Sequence, residues 1–255
     1  MTALLRTEGI KKAFGGVQAL NGATIEVHEG TVVGLIGPNG SGKTTLFNVI
    51  TGYERADEGQ VYFGDMTLTN AAPDKVFAAG IGRTFQLTRI FARLTVLENM
   101  LVAAQTKDRP RNLLARFGKD AWAHQRRHAM ELLRFVGIER HANVLAGSLS
   151  FGQRKLLELA YVLVADPQVI LLDEPAGGVN PTLINHIADR IRQLNPEGKT
   201  FLIVEHNMEF VMGLCANITV LESGVAVASG PPQIIRTDKR VLDAYLGADL
   251  EEDPR

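Results

Sequence analysis

Residues 32–44 read VVGLIGPNGSGKT, a short apolar stretch that runs directly into a glycine-rich loop. The first five residues, Val32–Ile36, are apolar at every position, which is typical of a central strand in a parallel sheet. After the loop, the spacing of Leu46, Val49 and Ile50 places three apolar side chains on one face of a helix. This stretch therefore predicts a strand, a tight loop and a helix in immediate succession.

The loop matches the pattern G-x-x-x-x-G-K-[ST] over residues 37–44. Glycines let backbone N–H groups surround an anion, and the following helix adds the positive end of its dipole. In such loops the lysine, here Lys43, reaches the β- and γ-phosphates of a nucleotide, and the hydroxyl of Thr44 binds Mg²⁺. We therefore expect a site for a nucleoside triphosphate with Mg²⁺. The residues expected to form it are Gly37, Pro38, Asn39, Gly40, Ser41, Gly42, Lys43, Thr44 and Thr45.

A second apolar strand is predicted at Val169–Leu172, and two acids, Asp173 and Glu174, follow it directly. In an open α/β sheet the carboxyl end of this strand lies at the same edge as the phosphate loop. Asp173 could then hold Mg²⁺, directly or through water, while Glu174 could orient or deprotonate an attacking water. Two adjacent acids could also begin a solvated loop, but beside a phosphate loop they favour nucleotide hydrolysis over storage.

Composition narrows the class of protein. Of 255 residues, 45% are hydrophobic and 22% are charged, which is typical of a soluble globular chain. Twenty-seven Lys and Arg against 28 Asp and Glu leave a formal charge of -1, so no basic field indicates a nucleic-acid partner. The single cysteine, Cys215, excludes an internal disulfide framework and is expected in the core. No run approaches the ~18 apolar residues of a membrane helix, and we expect a cytosolic chain.

The order of the predicted elements indicates one α/β domain with a helical insertion. The first 65 residues are expected to form short strands separated by Gly and Asn, the middle of the chain to be mostly helical, and the sheet to resume after Pro167. The further predicted strands are Leu4–Thr7, Ala23–Val27, Gln60–Phe63, Phe201–Val204, and a hairpin of Asn217–Leu221 with Val225–Ala228; helices are predicted at 121–136 and Thr182–Leu194.

Five further motifs occur in the order expected of one family. Leu149–Gln153 reads LSFGQ at the start of an apolar helix, with Ser150 as its expected N-cap. This string resembles the signature motif of the ATPases of ABC transporters. The other matching elements are Phe14, Gln86 in RTFQ, the turn Val179-Asn180-Pro181, and His206 in VEH. The resemblance covers nearly the whole chain.

This resemblance implies a fold and its division along the chain. We expect an α/β P-loop NTPase core of the ABC ATPase type, with an N-terminal antiparallel β-subdomain and an inserted α-helical subdomain. Residues 1–255 would form a single ABC ATPase domain. Its RecA-like core would comprise about residues 1–90 and 166–247, and its helical subdomain about residues 91–165.

A narrower resemblance concerns the transported solute. The strings RTFQ, LTVLEN, LSFGQ, LLDEPAGGVNP, VEHNM and AYLG are similar to those of the ATP-binding subunits of branched-chain or neutral amino-acid importers. Phe151 replaces a glycine and Asn180 an aspartate of the general ABC pattern, and both are familiar in this subfamily. The resemblance implies ATP-driven import through separate permease subunits, with a solute-binding protein involved indirectly. The chain would then lie peripherally at the cytoplasmic face of the inner membrane.

The resemblance also implies roles for individual residues. Gln86 would contact Mg²⁺ or the attacking water, His206 would hold the γ-phosphate and help to position Glu174, and Phe14 would stack on adenine. Ser150, Gly152 and Gln153 would close over the nucleotide of an opposite subunit, which requires a homodimer or a heterodimer with a similar ATPase. The expected catalytic residues are thus Glu174, His206 and Gln86, and the expected Mg²⁺ ligands are Thr44, Gln86 and Asp173.

Three other classes share part of this pattern. ATPases of lipid or lipopolysaccharide exporters have similar core motifs but usually keep LSGGQ, so Phe151 argues against them. DNA-repair ABC proteins separate the two nucleotide motifs by a long coiled coil, and translation ABC proteins carry two cassettes. A plain P-loop kinase is disfavoured by the signature string and by Glu174.

Overall fold

The computed structural model describes residues 3–84, 90–107 and 119–241. Gln86 and the AYLG string at residues 244–247 lie outside these ranges. The described chain forms two β-sheets, with helices on the larger one. The smaller sheet comes from the N-terminal quarter of the sequence, and the larger sheet carries the phosphate loop.

The smaller sheet is antiparallel, with the strand order β2-β1-β4-β5. Its strands are β1 (Ala3–Phe14), β2 (Val17–His28), β4 (Glu58–Phe63) and β5 (Met66–Thr67). The prediction of short strands separated by glycine was wrong here, because β1 continues through Gly9 and β2 through Gly22. Both glycines have positive φ and lie at shifts in the β1–β2 register, so they form bulges that bend the strands without ending them.

The larger sheet has six strands in the order β10-β9-β3-β8-β7-β6, all parallel except β10. They are β3 (Val32–Ile36), β6 (Ile81–Arg83), β7 (Val169–Asp173), β8 (Thr200–Val204), β9 (Asn217–Glu222) and β10 (Val225–Gly230). The predicted strands are confirmed within two residues at each end, and so is the β9–β10 hairpin. Because β8 pairs in parallel with both β3 and β7, the carboxyl ends of these three strands lie at the same edge of the sheet.

Helices connect and cover the larger sheet. They are α1 (Lys43–Ile50), α2 (Pro73–Ala79), α3 (Val96–Lys107), α4 (Lys119–Phe135), α5 (Phe151–Leu163), α6 (Pro181–Leu194), α7 (Met208–Leu214) and α8 (Pro232–Ile235), with 3₁₀ turns at Glu139–His141 and Ala146–Ser148. Helices α3, α4 and α5 pack on one another and form the inserted helical part. The α/β fold with an antiparallel β-part and a helical insertion is therefore as predicted.

Strand periodicity divides the core into two clusters, one on each face of the larger sheet. Leu171 and Leu202 pack with β1, β2 and α1, whereas Leu172 and Phe201 pack with the helical insertion. Cys215 belongs to the second cluster as predicted, and burial raises the pKa of its thiol to about 12. In the part of the chain that the structure describes, no helix has the length and hydrophobicity needed to span a bilayer.

Candidate nucleotide site

The loop between β3 and α1 requires glycine at two positions. Gly37 has φ of 151°, and a Cβ there would lie 2.0 Å from the carbonyl oxygen of Leu221. Gly42 has φ of 101°, and its Cβ would lie 2.4 Å from the carbonyl oxygen of Ala19. Since both obstructing atoms belong to the backbone, no side chain fits at either position. The close packing of the loop therefore explains the two outer glycines of the motif.

Lys43 is the first residue of α1, and its side chain folds back into the loop. The ammonium Nζ donates hydrogen bonds to the carbonyl oxygens of Gly37 and Pro38, both at 2.8 Å, and to Ser41 Oγ at 3.3 Å. Only 6% of the lysine is exposed. A cation is thus held beside the loop, next to the first N–H groups of α1, which have no intrahelical acceptor and could bind an anion.

The two acids at the end of β7, Asp173 and Glu174, lie near this cation. Burial lowers the pKa of Lys43, while the negative charges of Glu174 and Asp173 oppose that shift. The acids therefore favour the charged form of the lysine. They act on it across one intervening strand, since β8 lies between β7 and β3. The expected juxtaposition of the phosphate loop and the second carboxylate strand is present in the fold.

Asp173 is buried at the end of β7 and is tied to α1 through an arginine. Its Oδ2 accepts a hydrogen bond from Arg83 at 2.9 Å, and its backbone N–H donates to Thr84 Oγ1 at 3.1 Å. The Arg83 guanidinium also donates to Asn48 Oδ1 at 2.7 Å and to Thr51 Oγ1 at 3.0 Å. Arg83 thus fixes the carboxylate relative to α1, a role that the sequence analysis did not identify.

Glu174 and His206 form a pair at the same sheet edge. His206 Nε2 lies 2.9 Å from Glu174 Oε1. Glu174 directly follows β7, and His206 follows the neighbouring parallel strand β8 after one buried acid, Glu205. Glu174 adopts a left-handed backbone with φ of 49°, and its N–H donates to the carbonyl of Val204 at 2.9 Å. Such strain in a residue other than glycine persists only where the surroundings impose it, often at functional sites.

Glu205 was not among the expected site residues, yet it joins both loops of this pair. Its carboxylate is buried and accepts hydrogen bonds from the backbone N–H groups of Ala176, His206 and Asn207. The loop after Glu174 and the loop that carries His206 are therefore held to one another. The sequence signal for this role is the position of Glu205, an acid placed directly between the apolar strand β8 and His206.

The start of α5 has the geometry expected of Ser150. Its Oγ accepts the N–H of Gln153 at 3.3 Å, and Gln153 Oε1 accepts the N–H of Ser150 at 2.9 Å, which is a complete capping box. Gln153 Nε2 also lies 3.2 Å from His141 Nε2, so this side chain is engaged within its own subunit. A Cβ at Gly152 would lie 2.3 Å from Leu183 Cδ2, so any larger residue there would require the Leu183 side chain to move.

Phe14 ends β1 with 44% of its surface exposed. The strand end is fixed by Asp57, whose Oδ2 accepts the N–H of Ala13 at 2.7 Å, and this hydrogen bond lowers the pKa of Asp57. Lys12 Nζ lies 5.1 Å from the centre of the Phe14 ring. An exposed ring on a fixed strand end can offer a flat apolar surface to a ligand.

Comparison with known proteins decides the family. The model of the ABC transporter family matches residues 20–177, which include the phosphate loop, the signature string and both acids. The chain belongs to the ABC transporter family. A second model, of the branched-chain amino acid ATP-binding cassette transporter, matches residues 227–251. The chain is therefore an ATP-hydrolysing cassette, and the expected family is confirmed.

Similar proteins cover nearly all of this cassette. The probable branched-chain amino acid transport ATP-binding protein LivG of Methanocaldococcus jannaschii is 39% identical over 253 residues, 96% of this chain and 97% of the relative. LivG of Escherichia coli, a high-affinity branched-chain amino acid transport ATP-binding protein, is 35% identical over 96% of this chain and 98% of its own.

Solved structures of ABC cassettes share the fold. The ADP conformation of the cassette MJ1267 has a TM-score of 0.84 and 37% identity, over 97% of this chain and all of that one. The dimeric post-hydrolysis state of MJ0796 with ADP and Pi has a TM-score of 0.79 and 26% identity, over 89% of this chain and 98% of that one. ABC cassettes thus bind adenine nucleotides and form dimers that work with membrane permeases.

The side chains at the site also suit Mg²⁺. Thr44 presents an exposed hydroxyl in the first turn of α1, and Asp173 ends β7 with a carboxylate. Within residues 3–84, 90–107 and 119–241, no cluster of three or more His, Cys, Asp or Glu is arranged to hold a metal. Mg²⁺ generally takes one or two protein oxygens and completes its shell with phosphate and water. A hydroxyl and a single carboxylate beside a phosphate loop fit that preference.

Lys43→Ala removes the buried ammonium and should abolish ATP hydrolysis. ATP binding should weaken at least ~10-fold, because a charge-assisted hydrogen bond is lost. Phosphate release and calorimetric titration measure the two effects. The exposed lysine of α2 gives a matched control, Lys75→Ala, which should behave like the unaltered chain. Full turnover in Lys43→Ala would remove this lysine from the mechanism.

Proposed function

We propose that this cassette hydrolyses MgATP at the edge where β3, β7 and β8 end, and that it powers import of branched-chain or other neutral amino acids. The hydrogen-bonded pair of Glu174 and His206 beside the Lys43 loop is the observation that carries the proposed chemistry. The names of relatives similar over nearly their whole length support the proposed cargo.

The phosphate loop and its surroundings would bind the nucleotide. Backbone N–H groups of residues 37–45 and the Lys43 ammonium would hold the β- and γ-phosphates, and the exposed ring of Phe14 would stack on adenine. Thr44 and Asp173, with Gln86, would hold Mg²⁺, which neutralises phosphate charge when it is bound. Arg83 keeps the Asp173 carboxylate near α1.

Glu174 would act as the general base of hydrolysis. It would take a proton from water as the water oxygen bonds to the γ-phosphorus and the bond to the β,γ-bridging oxygen breaks, which yields ADP and phosphate. His206 would hold the γ-phosphate and orient the Glu174 carboxylate through their hydrogen bond. Glu205 would keep the two loops in register through the N–H groups that it accepts.

A second subunit would complete each site. Ser150, Gly152 and Gln153 stand at the N-terminus of α5, which can offer N–H groups and a hydroxyl to the γ-phosphate of a nucleotide held by another cassette. The partner would be a second copy or a similar ATPase. ATP would favour the closed pair only while its γ-phosphate bridges both halves.

The cassette would act at the membrane as a peripheral subunit. Separate permease subunits at the cytoplasmic face would receive the motion through the segment of Gln86 and the helical insertion, and a solute-binding protein would deliver the solute. In this arrangement residues 1–255 are one domain, with a core of about 1–90 and 166–247 and a helical subdomain of about 91–165.

The cargo is tested on the complex itself. We expect the cassette to copurify with membrane subunits that, in proteoliposomes with the cognate binding protein, take up leucine only when ATP is present on the cassette side. ATP-dependent uptake confined to another class of solute would contradict the proposed cargo but not the ATPase chemistry.

Glu174→Gln should bind ATP normally and hydrolyse it at least ~100-fold more slowly, because the general base is lost. ATP that is bound but not hydrolysed should then hold two cassettes together, so light scattering should detect an ATP-dependent dimer. Glu197→Gln changes an exposed glutamate in the same way and should leave the rate of hydrolysis unaltered. Normal hydrolysis by Glu174→Gln would show that another group activates the water.

A further inference from the structure

Lys155 lies in the second turn of α5, and its side chain reaches across to the loop that carries Glu174. Its Nζ donates a hydrogen bond to the backbone carbonyl oxygen of Glu174 at 2.9 Å. Only 7% of Lys155 is exposed, which is unusual for a lysine. A buried ammonium needs a strong acceptor, and here the acceptor is the main chain of the residue proposed as the general base.

The backbone that Lys155 contacts is the strained part of the loop. Glu174 has φ of 49°, and its carbonyl also accepts the N–H of Gly177 at 3.1 Å. A left-handed conformation at a glutamate is unfavourable on its own and is retained only through contacts around it. A hydrogen bond to this carbonyl restrains ψ of Glu174 and thereby the orientation of the Cα–Cβ bond from which the carboxylate extends.

The surroundings of Lys155 restrict its position. Lys155 and Glu158 line the same small cavity, of about 20 Å³, so a basic and an acidic side chain border one enclosed space. The Phe151 ring lies 5.8 Å from Nζ, within the range of a cation–π contact. The same ring lies beside the loop after Glu174, where a Cβ at Gly178 would come within 3.1 Å of Phe151 Cε1.

We propose that Lys155 is a positioning residue for hydrolysis, which holds the Glu174 carboxylate in its reactive orientation by fixing the backbone carbonyl of the same residue. This inference rests on the proposed role of Glu174 as general base. Lys155 itself touches neither nucleotide nor water. Lys155 belongs to α5, the helix that Ser150 caps, so its hydrogen bond also links the start of that helix to the proposed general base of the same subunit.

The test is a double-mutant cycle in the full-length chain. Lys155→Met keeps a long unbranched side chain without the donor and should lower kcat about 10- to 100-fold, the scale of a small misplacement of a reacting group. KM for ATP should change less than ~2-fold, since no contact to the nucleotide is removed. In the Glu174→Gln background, Lys155→Met should lower the residual rate no further, because the group through which it acts is already gone.

Lys199 provides a control for the loss of a lysine contact to a backbone carbonyl. It is partly buried, and its Nζ donates to the carbonyl oxygen of Pro167 at 2.9 Å and to Asp166 Oδ1 at 2.7 Å, near the opposite edge of the same sheet. We expect Lys199→Met to lower the melting temperature, as we also expect of Lys155→Met, but to leave kcat unaltered. If Lys155→Met does not fold, Lys155→Gln takes its place; its shorter neutral amide is a weaker donor, so kcat should fall in the same direction but by less.

Two results would overturn the proposal alone. One is an unaltered kcat in the Lys155 variant while Glu174→Gln is slow, and the other is a multiplicative loss in the double variant. Normal turnover in Glu174→Gln would instead overturn the general base, and with it the positioning role of Lys155. The two failures are therefore distinguishable.

Discussion

The site depends on one buried cation, the ammonium of Lys43. It lies among the carbonyl oxygens of Gly37 and Pro38, so the loop must turn tightly enough to direct carbonyls towards the lysine and N–H groups towards a ligand. That turn brings its backbone against the carbonyls of Leu221 and Ala19, where only glycine fits. The same packing fixes the loop to β9 and β2, and a phosphate approaching it meets a site that is already formed.

The parallel pairing of β7 and β8 is sufficient to bring the other side chains of the site to the same edge of the sheet. The ends of β7 and β8 place Asp173, Glu174 and His206 at the edge where Lys43 lies. Hydrogen bonds link these residues to their surroundings. Arg83 donates to Asp173, Glu205 accepts from the loops of Glu174 and His206, and Lys155 donates to the Glu174 backbone carbonyl. In the proposed dimer, the start of α5 would offer its hydroxyl and N–H groups to the nucleotide of a second cassette, so chemistry and assembly would be joined in one chain.

The parts predicted from sequence are those that local patterns determine. Val32–Ile36 is a strand with the predicted bounds, because an apolar run ends at a glycine loop, and Ser150 forms the predicted cap, because capping is a contact over three residues. The supporting contacts were missed, because Arg83 meets partners 35 and 90 positions away. Gly9 and Gly22 suggested strand ends, since sequence does not distinguish a break from a bulge.

The central claim is that a preformed phosphate loop binds the terminal phosphates of ATP. Isothermal titration calorimetry of the full-length chain, with MgATP and then with AMP, tests it most directly. The account predicts saturable binding of one MgATP per chain and no detectable binding of AMP, because Lys43 and the loop contact the phosphates that AMP lacks. Absence of binding with MgATP, or equal affinity for AMP, would contradict it.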